Sequence, residues 1–180
     1  MRISVIGSPG SGKTTQAKIL SQKLSLPHVS MGEICREIAK EDTPEGRQVK
    51  AVLEKGVLVG DDLILKLFND RVSRGDYRGG FIADGNPRTL YQAQKMEERL
   101  PFDKVIDVAV PLAVAKERLL KRGRLDDTEE TITRRFQVYA KQTAPVLSFY
   151  RERGKLIEID GSGTVDEVTD EVMERLGYGH

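Results

Sequence analysis

The stretch 7–14, GSPGSGKT, constrains this 180-residue chain more than any other feature of its sequence. It matches the spacing G-x-x-x-x-G-K-[ST], in which glycines allow positive φ angles and let backbone N–H groups converge on an anion. A buried-strand pattern precedes it at 2–6, and a helical apolar pattern follows it at 13–24. Between a strand and a helix N-terminus, this motif binds the phosphates of a nucleoside triphosphate. We therefore predict that Lys13 reaches the β- and γ-phosphates and that Thr14 ligates magnesium.

Short apolar runs alternate with helical patterns along the rest of the chain. Strands are expected at 27–30, 80–83, 104–110 and 156–159, and helices at 45–55, 61–74, 89–100, 112–121, 128–153 and 165–176. Because the strands are continuous apolar runs, they predict a parallel sheet covered by helices on both faces, which is a three-layer α/β fold. Pro145 is expected to kink or break the long helical pattern. One domain over 1–180 is predicted.

Composition bears on partners and location. The formal net charge is +1 and aromatic residues make up 6% of the chain, so neither nucleic acid nor an anionic membrane is an expected partner. Cys35 is the only cysteine, which excludes an internal disulfide and a multi-cysteine zinc site. No apolar run approaches the roughly 18 residues of a membrane span, and the N-terminus does not resemble a signal peptide. We expect a cytoplasmic monomer whose partners are small molecules.

A second set of cationic residues follows the central strand pattern. Binding sites of parallel sheets lie beyond the carboxyl ends of the strands, so Gly7 and Asp84 should face the same crevice. Asp84 is a candidate to hold a magnesium-bound water. Arg88 enters a helix where its guanidinium can grip a second phosphate, and the Gln92 amide, one turn further on, can read a base edge. Other candidate phosphate ligands are Arg36, Arg118, Arg122, Arg124 and Arg135. Any one arginine taken alone is more often a solvated surface charge.

A helix start is predicted at DTEE, residues 127–130. Asp127 is expected as its N-cap, with Glu130 at the third helical position and acids in the first turn. This interpretation concerns local stability and is compatible with a functional role for the neighbouring arginines.

Six blocks of the sequence resemble, in order, the adenylate kinases within the nucleoside monophosphate kinase family. They are GSPGSGKTTQA (7–17), SMGEICR (30–36), KGVLVGDDL (55–63), GFIADGNPRTLYQA (80–93), RLLKRGRLDDTEETITRRFQVYAKQTAPVLSFY (118–150) and GKLIEIDGSG (154–163). The resemblance covers essentially the whole chain. It implies transfer of the γ-phosphoryl group of ATP to AMP, giving two ADP. It also implies a P-loop core with a five-stranded parallel sheet, an NMP-binding lobe at 30–59 and a minimal lid at 121–127.

The resemblance also implies the ligands of each substrate. Those of ATP would be Gly10, Ser11, Gly12, Lys13, Thr14, Thr15, Arg118, Arg122 and Gly163, with Arg118 and the Gly163 backbone at the adenine. Those of AMP would be Met31, Arg36, Val57, Leu58, Val59, Gly85, Asn86, Pro87, Arg88, Gln92, Arg124 and Arg135. The catalytic cations would be Lys13, Arg88, Arg122, Arg124 and Arg135. Magnesium would accompany ATP, held by Thr14 and, through water, by Asp84; a lid zinc is not expected.

Three positions depart from the commonest family pattern and keep an alternative open. Met31 stands where adenylate kinases usually carry threonine, Glu33 where they usually carry aspartate, and Asn86 where an aromatic is usual. UMP/CMP-type kinases carry Gly-Glu after a small residue, so the SMGE segment is intermediate, while Thr89 and Gln92 favour AMP.

Two further classes of function compete with a nucleotide acceptor. A P-loop kinase with a small hydroxyl acceptor would need an acidic base, for which Glu33 is the obvious candidate. A GTPase would need an Asn-Lys-x-Asp guanine-binding segment, which the sequence lacks.

Overall fold

We analysed a computed structural model that describes residues 1–124 and 127–179. Its elements are, in chain order, β1 (Arg2–Gly7), α1 (Lys13–Leu24), β2 (His28–Ser30), α2 (Met31–Ile38), α3 (Pro44–Glu54), α4 (Asp61–Val72), a 3₁₀ turn (Gly75–Tyr77), β3 (Phe81–Asp84), α5 (Leu90–Arg99), β4 (Lys104–Ala109), α6 (Leu112–Arg122), α7 (Glu129–Val138), a π-helical segment (Tyr139–Thr143), α8 (Ala144–Arg151), β5 (Leu156–Asp160) and α9 (Val165–Arg175).

The five strands pair in parallel in the order β2-β3-β1-β4-β5. Side chains alternate across the sheet, so Ile3 and Val5 join a cluster with α1 and α9, whereas Ile6 joins a separate cluster on the opposite face. A chain of edge-to-face aromatic contacts, from Phe68 through Phe81 and Phe102 to Tyr150, runs through that second cluster. The predicted α/β fold with a five-stranded parallel sheet covered on both faces is confirmed.

Strand register decides what lies at the carboxyl edge of the sheet. Val5 of β1 pairs with Asp84 of β3, and Gly7 pairs with Val108 of β4. The loop that follows β1 and the Asp84 carboxylate therefore lie side by side, because parallel strands end at the same edge. This arrangement agrees with the shared crevice expected from the sequence.

One helical feature differs from the sequence-based expectations, and another agrees with them. The segment 30–33, interpreted as a turn before Arg36, is instead the start of α2 (Met31–Ile38), which the Ser30 hydroxyl caps by accepting the Glu33 N–H at 3.4 Å. The long pattern at 128–153 is divided as Pro145 predicted, since α7 passes into the π-helical segment and α8 begins with Pro145 in its first turn. Proline is tolerated there because first-turn N–H groups have no helical partner.

Candidate active site

The loop after β1 wraps around the N-terminus of α1. Gly10 has φ of 80°, and a Cβ atom at this position would lie 2.4 Å from the Ala115 carbonyl oxygen. Gly12, at φ of 92°, is the residue before the helix, and the first helical hydrogen bond runs from Gln16 N–H to Gly12 O at 3.1 Å. The N–H groups of residues 13–15 are therefore not used inside the helix, which makes this end an anion site.

Lys13 carries the ammonium group of this loop. Its Nζ donates to the Ser8 carbonyl oxygen at 3.1 Å. Withdrawal from water, aided by the charge of Arg88 and opposed by that of Asp84, lowers the pKa of Lys13 to about 8. The loop thus contains a cation that a phosphate group would stabilise.

Asp84 lies at the centre of a polar cluster at the end of β3. Its carboxylate accepts hydrogen bonds from Thr14 Oγ1 at 3.2 Å and Ser30 Oγ at 3.0 Å, and His28 Nε2 lies 3.5 Å away. Burial raises the pKa of Asp84, but His28, the Lys13 charge and the Thr14 hydroxyl outweigh this and hold the pKa below its usual value. An ionised carboxylate beside a hydroxyl is the kind of hard oxygen pair that suits Mg²⁺.

Protein side chains alone do not form a metal cage in the described part of the chain. Residues 1–124 and 127–179 contain no cluster of three or more His, Cys, Asp or Glu side chains placed to hold a metal ion. The Thr14–Asp84 pair fits instead a magnesium ion that brings phosphate oxygens as its other ligands.

Arg122 and Arg135 both bind Asp127. Arg122 makes a two-pronged contact with its carboxylate at 2.9 and 2.7 Å, and Arg135 Nη1 donates to it at 2.9 Å. Burial raises the pKa of Asp127, but the hydrogen bond and charge of Arg122 bring it below its ordinary value. The predicted N-cap role of Asp127 is wrong: Thr128 caps α7 by accepting the Thr131 N–H, and Asp127 is engaged with the arginines. Its neighbours 125 and 126, part of the predicted lid, lie outside the described residues.

Most of the predicted cations and phosphate-loop residues line one cleft. Among the predicted site residues, its lining comprises Gly10, Lys13, Thr14, Arg36, Val57, Leu58, Asp84, Gly85, Pro87, Arg88, Arg122, Arg124 and Arg135. Two hydrogen bonds hold Arg88 in place. Its Nε donates to the Gly85 carbonyl oxygen at 2.6 Å, and its own carbonyl oxygen accepts the Thr143 hydroxyl at 2.9 Å. Guanidinium groups from α2, the β3–α5 loop, α6 and α7 thus surround the space beside the phosphate loop.

A smaller cavity adjoins this cleft. Its lining includes the predicted residues Met31, Val57, Leu58, Val59, Gly85, Asn86, Arg88 and Gln92, together with Cys35 and Ile64. Asn86, whose place in the motif the sequence did not explain, is buried and its Nδ2 contacts the Met96 sulfur at 3.6 Å. A largely apolar cavity with a few amide groups is the composition expected of a base pocket.

Five predicted residues do not line either cavity. They are Ser11, Gly12, Thr15, Arg118 and Gly163. Ser11 and Gly12 belong to the phosphate loop itself, and Thr15 is exposed on α1. Arg118 Nη1 donates to the carbonyl oxygen of Gly161, which lies two residues before Gly163, at 3.0 Å. The predicted adenine contacts therefore lie together, beyond the cleft that holds the arginines.

Among the cleft residues that sequence reasoning missed are two hydroxyl-bearing side chains in the π-helical segment that continues α7. Tyr139 and Thr143 follow Arg135 at successive intervals of four residues and line the same cleft. That spacing was a usable signal, since residues four apart share a helix face. The contact of His28 with Asp84 had no such signal, because it joins different strands.

Glu33 does not behave as the base that a hydroxyl acceptor would require. Its carboxylate binds Lys18 Nζ at 2.9 Å, and this hydrogen bond holds the pKa of Glu33 below its ordinary value. Glu33 is also absent from the lining of both cavities. A weakly basic carboxylate outside the cleft is poorly suited to proton abstraction.

The phosphate loop and several arginines line one cleft at the carboxyl ends of the strands of a parallel sheet. This arrangement places the protein in the class of P-loop phosphotransferases. A model of the family described as adenylate kinase matches residues 5–155. The chain is 41% identical over 181 residues to "Adenylate kinase 1" of Nostoc sp., covering 98% of each chain. It is 42% identical over 185 residues to "Adenylate kinase" of Thermobifida fusca, again covering 98% of each. The chain therefore belongs to the adenylate kinase family.

Within the described residues, no helix is both long and apolar enough to cross a membrane.

Proposed function

We propose that this protein reversibly transfers the γ-phosphoryl group of ATP to AMP, giving two ADP. The observation that carries the proposal is the single cleft in which the phosphate loop and the arginines Arg36, Arg88, Arg122, Arg124 and Arg135 converge. Phosphoryl transfer to a phosphate acceptor needs alignment and charge neutralisation rather than a general base. Among the described lining residues of the cleft, Asp84 is the one carboxylate, and its lowered pKa makes it a weak base. A cleft rich in guanidinium groups with no stronger base among those residues suits that acceptor.

The two cavities divide the substrates between them. The ATP triphosphate lies on the loop at Lys13, with its adenine toward Arg118 and Gly163. The AMP phosphate lies between Arg36 and Arg88, and its base enters the smaller cavity beside Met31 and Gln92. The other predicted ligands contact the nucleotide to which the family resemblance assigns them. Arg122, Arg124 and Arg135 then neutralise the phosphates between the two nucleotides.

Magnesium accompanies ATP in this proposal. Thr14 and, through water, Asp84 would hold the ion, which would supply charge neutralisation at the β- and γ-phosphates. Asp84 itself is kept in place by the hydroxyls of Thr14 and Ser30. We further propose a cytoplasmic monomer, and that the NMP-binding lobe at 30–59 and the lid at 121–127 move over the cleft, with Leu125 and Asp126 of that lid outside the described residues.

An assay of ADP formation tests the acceptor. ATP–Mg²⁺ is offered with AMP, UMP, CMP, GMP or dAMP in parallel, and ADP production is followed with a coupled enzyme. We expect the highest kcat/KM with AMP. Turnover confined to UMP or CMP would overturn the proposed acceptor, and turnover with none of the five would overturn a nucleotide kinase altogether.

Substitution of Arg88 tests the arginine cleft. Arg88→Ala is expected to lower kcat by about 10³-fold, since a single phosphate-directed arginine is worth roughly 10³–10⁵ in rate. Arg74, which is exposed and lines neither cavity, provides the matched control. Equal activities of Arg88→Ala and Arg74→Ala would contradict the assignment.

A further inference from the structure

We propose that Asp61 is a positioning residue that selects a 6-aminopurine as acceptor base by fixing the orientation of the Gln92 amide. This inference rests on the proposed function and concerns the smaller cavity. Asp61 is the first residue of α4, and its Oδ1 accepts a hydrogen bond from Gln92 Nε2 at 2.8 Å. The same oxygen accepts the Thr89 hydroxyl at 3.0 Å. Asp61 is absent from the lining of the cavity and acts only through Gln92.

The other end of the amide is also held. Gln92 Oε1 accepts the Arg88 backbone N–H at 2.8 Å, and Gln92 is 1% exposed. A rotated amide would turn its NH₂ group toward the Arg88 N–H and its oxygen toward the Asp61 carboxylate. Donor would then face donor and acceptor would face acceptor, and both pairings would leave buried polar groups unsatisfied. The amide therefore has one favourable orientation.

That orientation has a chemical consequence for the base. Gln92 Nε2 retains a second hydrogen to donate, and Oε1 retains a second lone pair to accept. A 6-aminopurine offers the matching edge, with N1 as acceptor and the 6-amino group as donor. A 6-oxopurine offers the reverse, with N1–H as donor and O6 as acceptor. Because Gln92 lines the cavity beside Met31 and Asn86, its fixed amide discriminates between the two edges.

The test compares AMP with inosine monophosphate, which differs from AMP only at N1 and C6. We expect Asp61→Ala to lower the ratio of kcat/KM for AMP to that for inosine monophosphate by roughly tenfold, the equivalent of one buried hydrogen bond to a charged group. The change should fall on the KM for the acceptor, while the KM for ATP stays within about twofold. Asp61→Asn keeps an acceptor oxygen and should restore most of the ratio.

Asp62→Ala is the matched control, because Asp62 is also in the first turn of α4 but is exposed. Like Asp61→Ala, it removes a carboxylate that interacts favourably with the N-terminus of α4. It should nevertheless leave the ratio of kcat/KM for AMP to that for inosine monophosphate unchanged. An unchanged ratio in Asp61→Ala, or an equal fall in Asp62→Ala, would overturn the inference. A wild-type protein inactive with AMP would instead overturn the proposed function, so the two failures are distinguishable.

Discussion

At the scale of single residues, the titration of Lys13 should couple ATP binding at the phosphate loop to proton uptake. Its pKa of about 8 in the structure means that the ammonium loses its proton above that pH. Bound phosphate stabilises the charged form, so ATP binding at about pH 8.5 should take up a sizeable fraction of one proton. Titration calorimetry in two buffers of different ionisation enthalpy measures this uptake. Lys13→Arg, which cannot deprotonate in this range, should bind without it; equal uptake by both proteins would contradict the assignment.

Asp107 of β4 predicts a second pH effect, on stability. Burial and then the charge of Glu158 on β5 raise its pKa from 3.8 to about 6, against the opposing effects of Tyr139, Lys13 and Arg151. The folded protein therefore binds more protons than the unfolded chain between those values, and stability falls as pH rises through that window. Asp107→Asn should raise the free energy of unfolding by about 3 kcal/mol at pH 7 and by little near pH 4.

Urea denaturation at the two pH values measures that effect. Asp70→Asn is the control, since Asp70 is exposed on α4 and should change stability by less than about 0.5 kcal/mol at either pH. A pH-independent gain in Asp107→Asn would mean that the amide packs better, and that burial of the charge is not the cause.

The sequence predicted the site residues best where they belong to one local segment. Lys13 and Thr14 begin the helix after the loop that follows β1, and Arg88 lies in the loop that follows β3. Motif spacing alone therefore predicted that they lie in the crevice. Asp127 was misjudged because local rules offered a capping role, and only the packed structure brings Arg122 and Arg135 onto its carboxylate. Contacts of this kind depend on the placement of separate elements, which a single sequence does not encode in any local pattern.

At the scale of elements, the turn between β1 and α1 is the most constrained. Gly10 combines φ of 80° with a close approach to the Ala115 carbonyl oxygen on α6. Gly10→Ala should therefore add a backbone clash to the roughly 1–2 kcal/mol cost of a left-handed residue, and should lower both stability and ATP affinity.

Gly177 is the matched control for Gly10. It has φ of 86°, but no heavy atom lies within 4 Å of the place that a Cβ atom would occupy, so Gly177→Ala should cost only the backbone term. Thermal unfolding and ATP binding measure both variants. Equal destabilisation, with ATP affinity retained, would show that the tight packing of Gly10 against α6 is unimportant.

Element types were predicted better than element boundaries. The five strands were recognised because buried parallel strands are continuous apolar runs. Helix α2 was missed although Ser30 and Glu33 have the spacing of a capping box, because the short SMGE segment was interpreted as a turn. Only half of that box forms, since the Glu33 carboxylate binds Lys18 on α1. A tertiary contact thus competes with the local one.

At the scale of the whole molecule, Gly56 lies where the predicted NMP-binding lobe contacts α7. Gly56, in that lobe at 30–59, has φ of 64° and is buried against α7. A Cβ atom there would lie 2.9 Å from Thr131 Cγ2 and 3.0 Å from the Thr131 carbonyl oxygen. Contact between the lobe and α7 brings Arg36 and Arg135 to the same cleft. The absence of a side chain at Gly56 permits this close contact, which we expect to be the closed arrangement of the predicted lobe.

We expect substrates to increase the population of this closed arrangement. Fluorescence labels on cysteines introduced at Lys50 of α3 and Arg134 of α7, with Cys35 replaced by alanine, report the distance between the lobe and α7. A bisubstrate analogue with two adenosines joined by five phosphates should increase energy transfer between these labels. Labels at Lys23 of α1 and Arg99 of α5, on the sheet-packed core, should show no change.

Gly56→Ala should reduce the increase in energy transfer and lower kcat, because its methyl group meets Thr131 only when the lobe approaches α7. Gly154 provides a control of matched backbone conformation: its φ is 65°, and no heavy atom lies within 4 Å of the position a Cβ would take. Gly154→Ala pays a similar conformational cost and should close normally. If both variants closed and turned over alike, contact at Gly56 would not limit closure, and the lobe would have to reach the substrates by another path.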